Sequence, residues 1–287
     1  MSSLKPLVSV VVPYYEQPKY LPESVQSALN QRFEDLEVIV VDDCSPNHPA
    51  AVVLGEIDDP RLTILRNDTN KGCPASRNNG ISQSRGDILL PLDGDDLLDA
   101  EYLSATLPLI TEGGFDAVYT HVQLFGEQSH LWTWECSLIS ALCGAPGPAT
   151  FLYKREVYEA CGGYKTTVHS SDLEFWISVL KRNCRIGHIE RPLFLYRKHA
   201  QGKSNYNREI NVAEMIDLHR DLYVENLKDV IRAGEEKYWR LHKEYEILEE
   251  GFRNAMYHYR LLESGLAAST GERFLKRVFR RLSRLDR

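Results

Sequence analysis

The stretch Asp87-Ile88-Leu89-Leu90-Pro91-Leu92-Asp93-Gly94-Asp95-Asp96 joins a short apolar run to a cluster of carboxylates. An apolar run of this length predicts a buried β-strand. A second apolar run, Leu36 to Val41, also ends in paired acids, Asp42-Asp43. Ligands of open α/β sheets bind beyond the carboxyl ends of the strands, so we expect both acidic clusters at one ligand-binding edge.

The chain around these runs alternates strand-like and helix-like patterns. Further strands are predicted at Leu7 to Val12 and Leu62 to Leu65, and helices at about Tyr20 to Asn30 and Pro74 to Ser84. Such alternation is typical of an α/β fold with a mostly parallel central sheet and flanking helices. We expect this domain to comprise residues 1–204.

From residue 205 the pattern is helical, which predicts an all-helical extension over residues 205–287. Within 235–264, apolar residues recur at alternating steps of three and four, as in a coiled coil that would join two copies of the chain. Docking of this stripe on the chain's own first domain is the alternative. Residues 270–287 predict a basic amphipathic helix, which suits either docking on an anionic membrane surface or packing on neighbouring helices or a partner protein.

Composition excludes some classes of protein. Among the 287 residues, 43% are hydrophobic and 26% are charged, which fits a folded globular protein. The net charge of −7 argues against a nucleic-acid partner. The residues before Leu7 are too few for a secretory leader, and no run reaches the ~20 apolar residues of a spanning helix. We therefore expect a cytoplasmic protein, peripheral on the inner face of the membrane if 270–287 docks there.

The acidic cluster suggests metal chemistry. Several carboxylates at a strand end, without a Gly-rich phosphate loop, suit a hard divalent cation that bridges to a diphosphate. An acidic turn that caps the following helix has the same residues, so the cluster alone does not decide between these interpretations.

The sequence contains an ordered series of motifs across residues 6–204: Val8-Ser9-Val10-Val11-Val12-Pro13-Tyr14-Tyr15, Val40-Val41-Asp42-Asp43-Cys44-Ser45, Asn70-Lys71-Gly72, Ala75-x-Arg77-Asn78-x-Gly80, Leu92-Asp93-Gly94-Asp95-Asp96, Ser171-Asp172-Leu173-Glu174-Phe175-Trp176 and Tyr196-Arg197-Lys198-His199. Together these motifs resemble glycosyltransferase family 2, whose members are inverting enzymes of the GT-A fold, a Rossmann-like α/β architecture.

The resemblance implies a role for each matching residue. Asp172 is the implied general base that deprotonates the acceptor hydroxyl. The family usually has Glu-Asp where this chain has Ser171-Asp172, so Glu174 is a second acidic candidate near the acceptor. The implied nucleotide-binding residues are Pro13, Tyr15, Asp43, Arg77 and Asp93; the implied ligands of Mn²⁺ or Mg²⁺ are Asp95, Asp96 and His199; and the implied acceptor contacts are Trp132 and Trp134.

These expectations describe a metal-dependent glycosyltransferase of the hexosyl or N-acetylhexosaminyl type. It would move a sugar from a nucleotide diphosphate donor, foremost a UDP-sugar, to a hydroxyl of a glycan or lipid-linked acceptor in surface polysaccharide biosynthesis. One alternative is a catalytically inactive nucleotide- or glycan-binding scaffold. Another is a nucleotidyltransferase, which would need a Gly-rich triphosphate loop where Pro13-Tyr14-Tyr15-Glu16 stands.

Overall fold

The structure, a computed structural model, describes residues 6–134, 136–144, 147–202 and 208–233. The chain divides into two compact units, residues 1–226 and 227–287. The sequence-based division into residues 1–204 and 205–287 stays a prediction. Of the second unit, residues 227–233 are helical, and the predicted segments 235–264 and 270–287 lie outside the described residues.

Strands and helices alternate through most of the first unit. The strands are β1 (Val8–Tyr14), β2 (Leu36–Asp42), β3 (Leu62–Arg66), β4 (Ile88–Pro91), β5 (Leu97–Leu98), β6 (Ala117–Gly126), β7 (Leu131–Trp132), β8 (Leu152–Lys154) and β9 (Ile186–Lys198). The helices are α1 (Leu21–Leu29), α2 (Ala50–Val53), α3 (Cys73–Gln83), α4 (Tyr102–Thr111), α5 (Leu138–Leu142), α6 (Arg155–Cys161), α7 (Ser171–Leu180), α8 (Arg208–Leu218) and α9 (Arg220–Glu225).

One mixed sheet forms the centre of the unit, with strand order β3-β2-β1-β4-β8-β6-β9-β5, and β7 pairs with β6. Strands β1 to β4 are parallel, as predicted, and their carboxyl ends meet at one edge. Beyond β4 the pairings of β8, β7 and β5 are antiparallel, while β6 and β9 run parallel. The α/β prediction is confirmed, but the sheet is parallel throughout only over its first four strands.

Two hydrophobic clusters cover the two faces of this sheet. One contains α1 and α4, and the other contains parts of α3, α6 and α7. Helix α3 lies very close to the sheet because Gly80 has no Cβ; a Cβ there would be 2.5 Å from Val11 Cγ1 and 2.9 Å from Val41 Cγ2. This approach buries Arg77 on the same helix, with 2% of its surface exposed.

In the part of the chain that the structure describes, no helix combines the length and apolar character needed to cross a membrane.

Candidate active site

The acidic turn after β4 lies at the edge where the parallel strands end. Gly94 permits this turn to lie against β1, since a Cβ there would be 3.1 Å from the carbonyl oxygen of Pro13. The side chains of Asp93 and Asp95 are partly exposed, whereas Asp96 is fully buried. Desolvation, and then neighbouring carboxylate charges, raise the pKa of Asp95 and raise that of Asp96 well above its ordinary value.

The end of β9 covers this turn. The backbone N–H of Arg197 donates to Asp96 Oδ1 at 2.8 Å, and its Nε donates to the carbonyl oxygen of Asp95 at 2.8 Å. The guanidinium lies 4.8 Å from the ring centroid of Tyr20 and 4.5 Å from that of Phe125. Arg197 therefore holds the acidic turn through two hydrogen bonds, with its own position fixed by two rings.

His199 follows β9 and brings an imidazole to the same carboxylates. Its Nε2 lies 3.0 Å from Asp95 Oδ2, and its ring packs on Tyr20 with a centroid distance of 4.5 Å. Asp95 and His199, both predicted metal ligands, thus lie side by side, and their binding of a metal stays a prediction.

The donor set fits a divalent cation, although the described residues contain no arranged group of three or more His, Cys, Asp or Glu side chains around a metal position. Among the described atoms, Asp96 Oδ2 and His199 Nδ1 are buried and lack hydrogen-bond partners. Carboxylate oxygens with one imidazole suit Mn²⁺ or Mg²⁺. Asp95 is the more accessible carboxylate, and Asp96 lies deeper, with one oxygen used by Arg197.

Asp42 and Asp43 organise the loops at the end of β2. Asp43, 3% exposed, accepts hydrogen bonds from Asn67 Nδ2 (2.8 Å) and from the backbone N–H groups of Lys71 (2.9 Å) and Gly72 (2.8 Å). Asp42 accepts hydrogen bonds from the loop after β2 and from Arg66. Asp43 therefore draws the β3–α3 loop towards the strand end, whereas Asp42 shapes the β2–α2 loop.

Tyr15 follows β1 at the same edge and is 38% exposed, while Pro13 is buried in β1. The next residue, Glu16, has a φ of 51°, a left-handed conformation that is unusual for a side chain of this type. Its carboxylate accepts hydrogen bonds from the backbone N–H groups of Asn47 and His48 and contacts both of their side chains. Desolvation would raise the pKa of Glu16, but these hydrogen bonds lower it to about 2.

Arg77 joins the acidic turn to α7. Its buried guanidinium donates from Nη2 to Asp93 Oδ1 at 2.5 Å and from Nη1 to Asp172 Oδ1. Its Cζ lies 5.3 Å from the ring centroid of Tyr164. Desolvation opposes the charge, but Asp172 and Asp93 raise the pKa of Arg77. Contact of Arg77 with a nucleotide stays a prediction, since the structure shows its two Nη atoms on carboxylates.

Asp172 lies in the first turn of α7, where the helix dipole favours negative charge. Its side chain is 33% exposed. Desolvation raises the pKa of Asp172, and Arg77 opposes this rise. The carboxylate therefore combines partial access with an environment that increases its basicity.

The three suggested acceptor residues differ in their surroundings. Trp132 packs against the first hydrophobic cluster, and Trp134 packs on Tyr119 and Trp176 with centroid distances of 5.2 and 4.9 Å. Both indoles are half-buried, so their contact with an acceptor stays a prediction. Glu174 is 1% exposed, which places it too deep for the acceptor contact that the sequence suggested.

Two functional candidates, Glu16 and Arg197, were not singled out by sequence reasoning. Glu16 had no neighbouring acid to mark it, and its partners lie about thirty residues away. Arg197 belonged to a recognised motif, but its contacts with a turn about a hundred residues earlier had no signal in the spacing.

Comparison with known proteins gives consistent matches. Residues 9–162, more than half of the chain, match the family model described as Glycosyl transferase family 2. An uncharacterized glycosyltransferase of Haemophilus influenzae is 29% identical over 237 residues, which cover 77% of this chain and 79% of that protein. WfgD of Escherichia coli, named as a UDP-Glc:alpha-D-GlcNAc-diphosphoundecaprenol beta-1,3-glucosyltransferase, is 26% identical over 62% of this chain and 71% of its own length.

A solved structure shares the fold. The crystal structure of S. aureus TarS 1-349 in complex with UDP-GlcNAc superposes with a TM-score of 0.60 at 22% identity. The match covers 69% of this chain and 61% of that one, so the chain spans about three fifths of the TarS structure.

Proposed function

The chain belongs to glycosyl transferase family 2, and on that premise we propose that it is an inverting enzyme that transfers a sugar from a UDP-sugar to a hydroxyl group. The name of WfgD includes a UDP-sugar donor and a diphosphoundecaprenol-linked acceptor, and the TarS structure was solved with UDP-GlcNAc. These relatives support a glycan or lipid-linked acceptor and a hexosyl or N-acetylhexosaminyl donor for this chain, in surface polysaccharide biosynthesis.

The observation that carries the proposal is the bridge made by Arg77. One buried guanidinium contacts Asp93, a candidate nucleotide-binding residue, and Asp172, the candidate general base. Because a single rigid group joins them, the base is held beside the donor position before any substrate binds. An arrangement of this kind suits group transfer between two bound substrates.

Asp172 is proposed to accept the proton of the acceptor hydroxyl. Arg77 holds Oδ1, which leaves Oδ2 on a side chain that is one-third exposed. The raised pKa of Asp172 makes its carboxylate a stronger base than an ordinary one. In this proposal the acceptor oxygen attacks the anomeric carbon from the side of Asp172, opposite the departing diphosphate. This attack inverts the configuration at the anomeric carbon.

Asp43, Pro13 and Tyr15 are proposed to hold the nucleobase, and Asp95 with His199, supported by Asp96, to hold Mn²⁺ or Mg²⁺. The cation, when bound, supplies positive charge beside the leaving diphosphate. The membrane-docking helix over 270–287, the coiled-coil dimer over 235–264 and a peripheral membrane location stay predictions.

The test compares wild type with Asp172→Asn, using Asp58→Asn as a matched control at an exposed position. Release of UDP from UDP-glucose and UDP-N-acetylglucosamine is measured with Mn²⁺, and the affinity for UDP is measured by calorimetry. We expect Asp172→Asn to lower the release rate at least ~100-fold with little change in UDP affinity, because general base catalysis contributes ~10²–10⁴-fold. Asp58→Asn should match wild type.

Two results would contradict the proposal. An undiminished rate in Asp172→Asn would exclude this residue as the base. If none of UDP, GDP, CMP and dTDP binds, with or without metal, the donor site is excluded. That result would favour a catalytically inactive scaffold that binds a glycan.

A further inference from the structure

Helix α7, which begins beside the candidate base, is tied to α8 and to the α8–α9 junction by two histidine–carboxylate contacts. Before the helix, the backbone N–H of His169 donates to Glu214 Oε2 at 2.9 Å, and its ring contacts Glu214 Oε1. Within the helix, Glu174 Oε1 lies 3.4 Å from Nε2 of His219, the residue between α8 and α9. Asp172 lies between His169 and Glu174 in the chain.

The hydrogen-bonding roles of the two ring nitrogens of His219 follow from their neighbours. Lys181 Nζ lies 3.3 Å from His219 Nδ1, and an ammonium group only donates, so Nδ1 is the accepting nitrogen. Nε2, the nitrogen that faces Glu174, is then the one that carries the N–H. His219 is 7% exposed, so this arrangement is shielded from water.

Glu174 is a buried carboxylate whose charge depends on these contacts. Desolvation would raise the pKa of Glu174, but His219 and Ser178 hold it below its ordinary value. Ser178 donates to Glu174 Oε1 at 2.7 Å. Loss of His219 would remove a polar group 3.4 Å from this buried carboxylate, to which Ser178 is the side-chain donor shown among the described residues, and such a loss is costly in a protein interior.

The two acidic residues of α7 point in opposite directions. Residues two positions apart on an α-helix are separated by about 200° of rotation, so Asp172 and Glu174 lie on opposite faces. The first contacts Arg77, and the second contacts His219. The contact between Asp172 and Arg77 thus holds the first turn of α7 from the nucleotide side. The contact between Glu174 and His219 holds it from the side of α8 and α9.

We infer that His219 and Glu214 are positioning residues for Asp172, acting through their contacts with Glu174 in α7 and with His169 just before it. This inference rests on the proposed function of Asp172. It concerns residues beyond 162, where the family match ends, and beyond the domain boundary that the sequence suggested. A displacement of the base by about 1 Å is enough to slow catalysis severely.

The test uses variants of His219 in the full-length chain. We expect His219→Ala to lower kcat for UDP release from UDP-glucose about 10-fold, with the Kd and stoichiometry of UDP binding unchanged. His219→Gln, whose amide can donate to Glu174 and accept from Lys181, should restore kcat to within about threefold of wild type. If kcat falls only in proportion to the fraction of chains that still bind UDP, the loss of activity is explained by unfolding. That result would overturn the inference.

The matched control is Tyr223→Phe on α9. Its hydroxyl donates to the carbonyl oxygen of Leu142 at 2.8 Å, so this variant removes one hydrogen bond of α9 while it leaves His219 and Glu214 unchanged. We expect a lower thermal midpoint with wild-type kcat. If His219→Ala does not fold, Glu214→Ala at the surface replaces it, with an expected loss of about threefold in kcat; a kcat equal to wild type in that variant would overturn the inference.

Hydrogen exchange of residues 171–180 separates this inference from the proposed function. Faster exchange of these amides in His219→Ala than in Tyr223→Phe shows that the contact holds α7, even if wild type releases no UDP and the proposed function fails. Equal exchange in the two variants would refute the positioning role whatever the activity.

Discussion

Replacing Asp96 by Asn is expected to stabilise the protein at neutral pH, even though the residue belongs to the candidate metal turn. Asp96 is fully buried, and its Oδ2 has no hydrogen-bond partner among the described residues. Desolvation first, and then the charges of Asp95 and Asp93, raise the pKa of Asp96 well above its ordinary value. Asn removes the charge and keeps an oxygen to accept from the Arg197 N–H.

The sign of the pH dependence follows from this raised pKa. The folded chain binds the proton of Asp96 more tightly than the unfolded chain, so wild-type stability falls as pH rises from about 4 towards the folded pKa. The loss of stability caused by ionising Asp96 is complete above the pKa of the folded chain. It is absent below the pKa of Asp96 in the unfolded chain. A buried charged group without full hydrogen bonding costs about 2 kcal/mol or more, which corresponds to roughly 4–8 °C in the midpoint of a unit of this size.

Thermal midpoints of wild type and Asp96→Asn, recorded with EDTA from pH 4.0 to 8.0, test this reasoning. The variant should be the more stable protein at pH 7.5, with the difference shrinking towards pH 4.0. Asp58→Asn, an exposed control, should follow wild type at every pH. A midpoint below that of wild type at pH 7.5, or a difference that does not change with pH, would refute the assignment of a buried, destabilising charge.

Two further predictions concern the packing of the site. Gly80→Ala should lower the free energy of unfolding, measured by urea denaturation, by about 1–2 kcal/mol, because overpacking against Val11 outweighs the gain in helix propensity. In the control Gly55→Ala, a Cβ meets only ordinary contacts, so the free energy of unfolding should change by less than about 0.5 kcal/mol. Equal stability of Gly80→Ala and wild type would contradict the close packing. Glu16→Gln should weaken UDP binding up to about fivefold, measured by calorimetry, because the loop containing His48 loses its charged anchor; unchanged affinity would separate this loop from the nucleobase site.

The elements nearest the nucleotide edge were predictable from local patterns. The structure has strands at Leu36–Asp42, Leu62–Arg66 and Ile88–Pro91 and helices at Leu21–Leu29 and Cys73–Gln83, each within about two residues of its prediction. Apolar runs and amphipathic periodicity predict such elements because burial of one face depends mainly on residues close in the chain. The parallel sheet and the acidic edge followed from their order.

The second half of the first unit was less accessible to this reasoning. Strand β9 runs from Ile186 to Lys198 through several exposed and charged residues, so its apolar pattern is weak. The structure pairs it with β6 through a register shift next to His121. Pairings between strands far apart in the chain depend on tertiary packing, and neighbouring residues carry little information about them.

The sequence by itself determined the class of fold, the edge at which the carboxylates collect and, through the resemblance of its motifs, the family. Only the tertiary structure decided how the charged groups pair: Arg77 contacts Asp93 and Asp172, and His219 contacts Glu174 on the other side of α7. The physical reason is that strand and helix patterns depend on near neighbours. The partner and pKa of a buried charge depend instead on distance and desolvation in the folded chain.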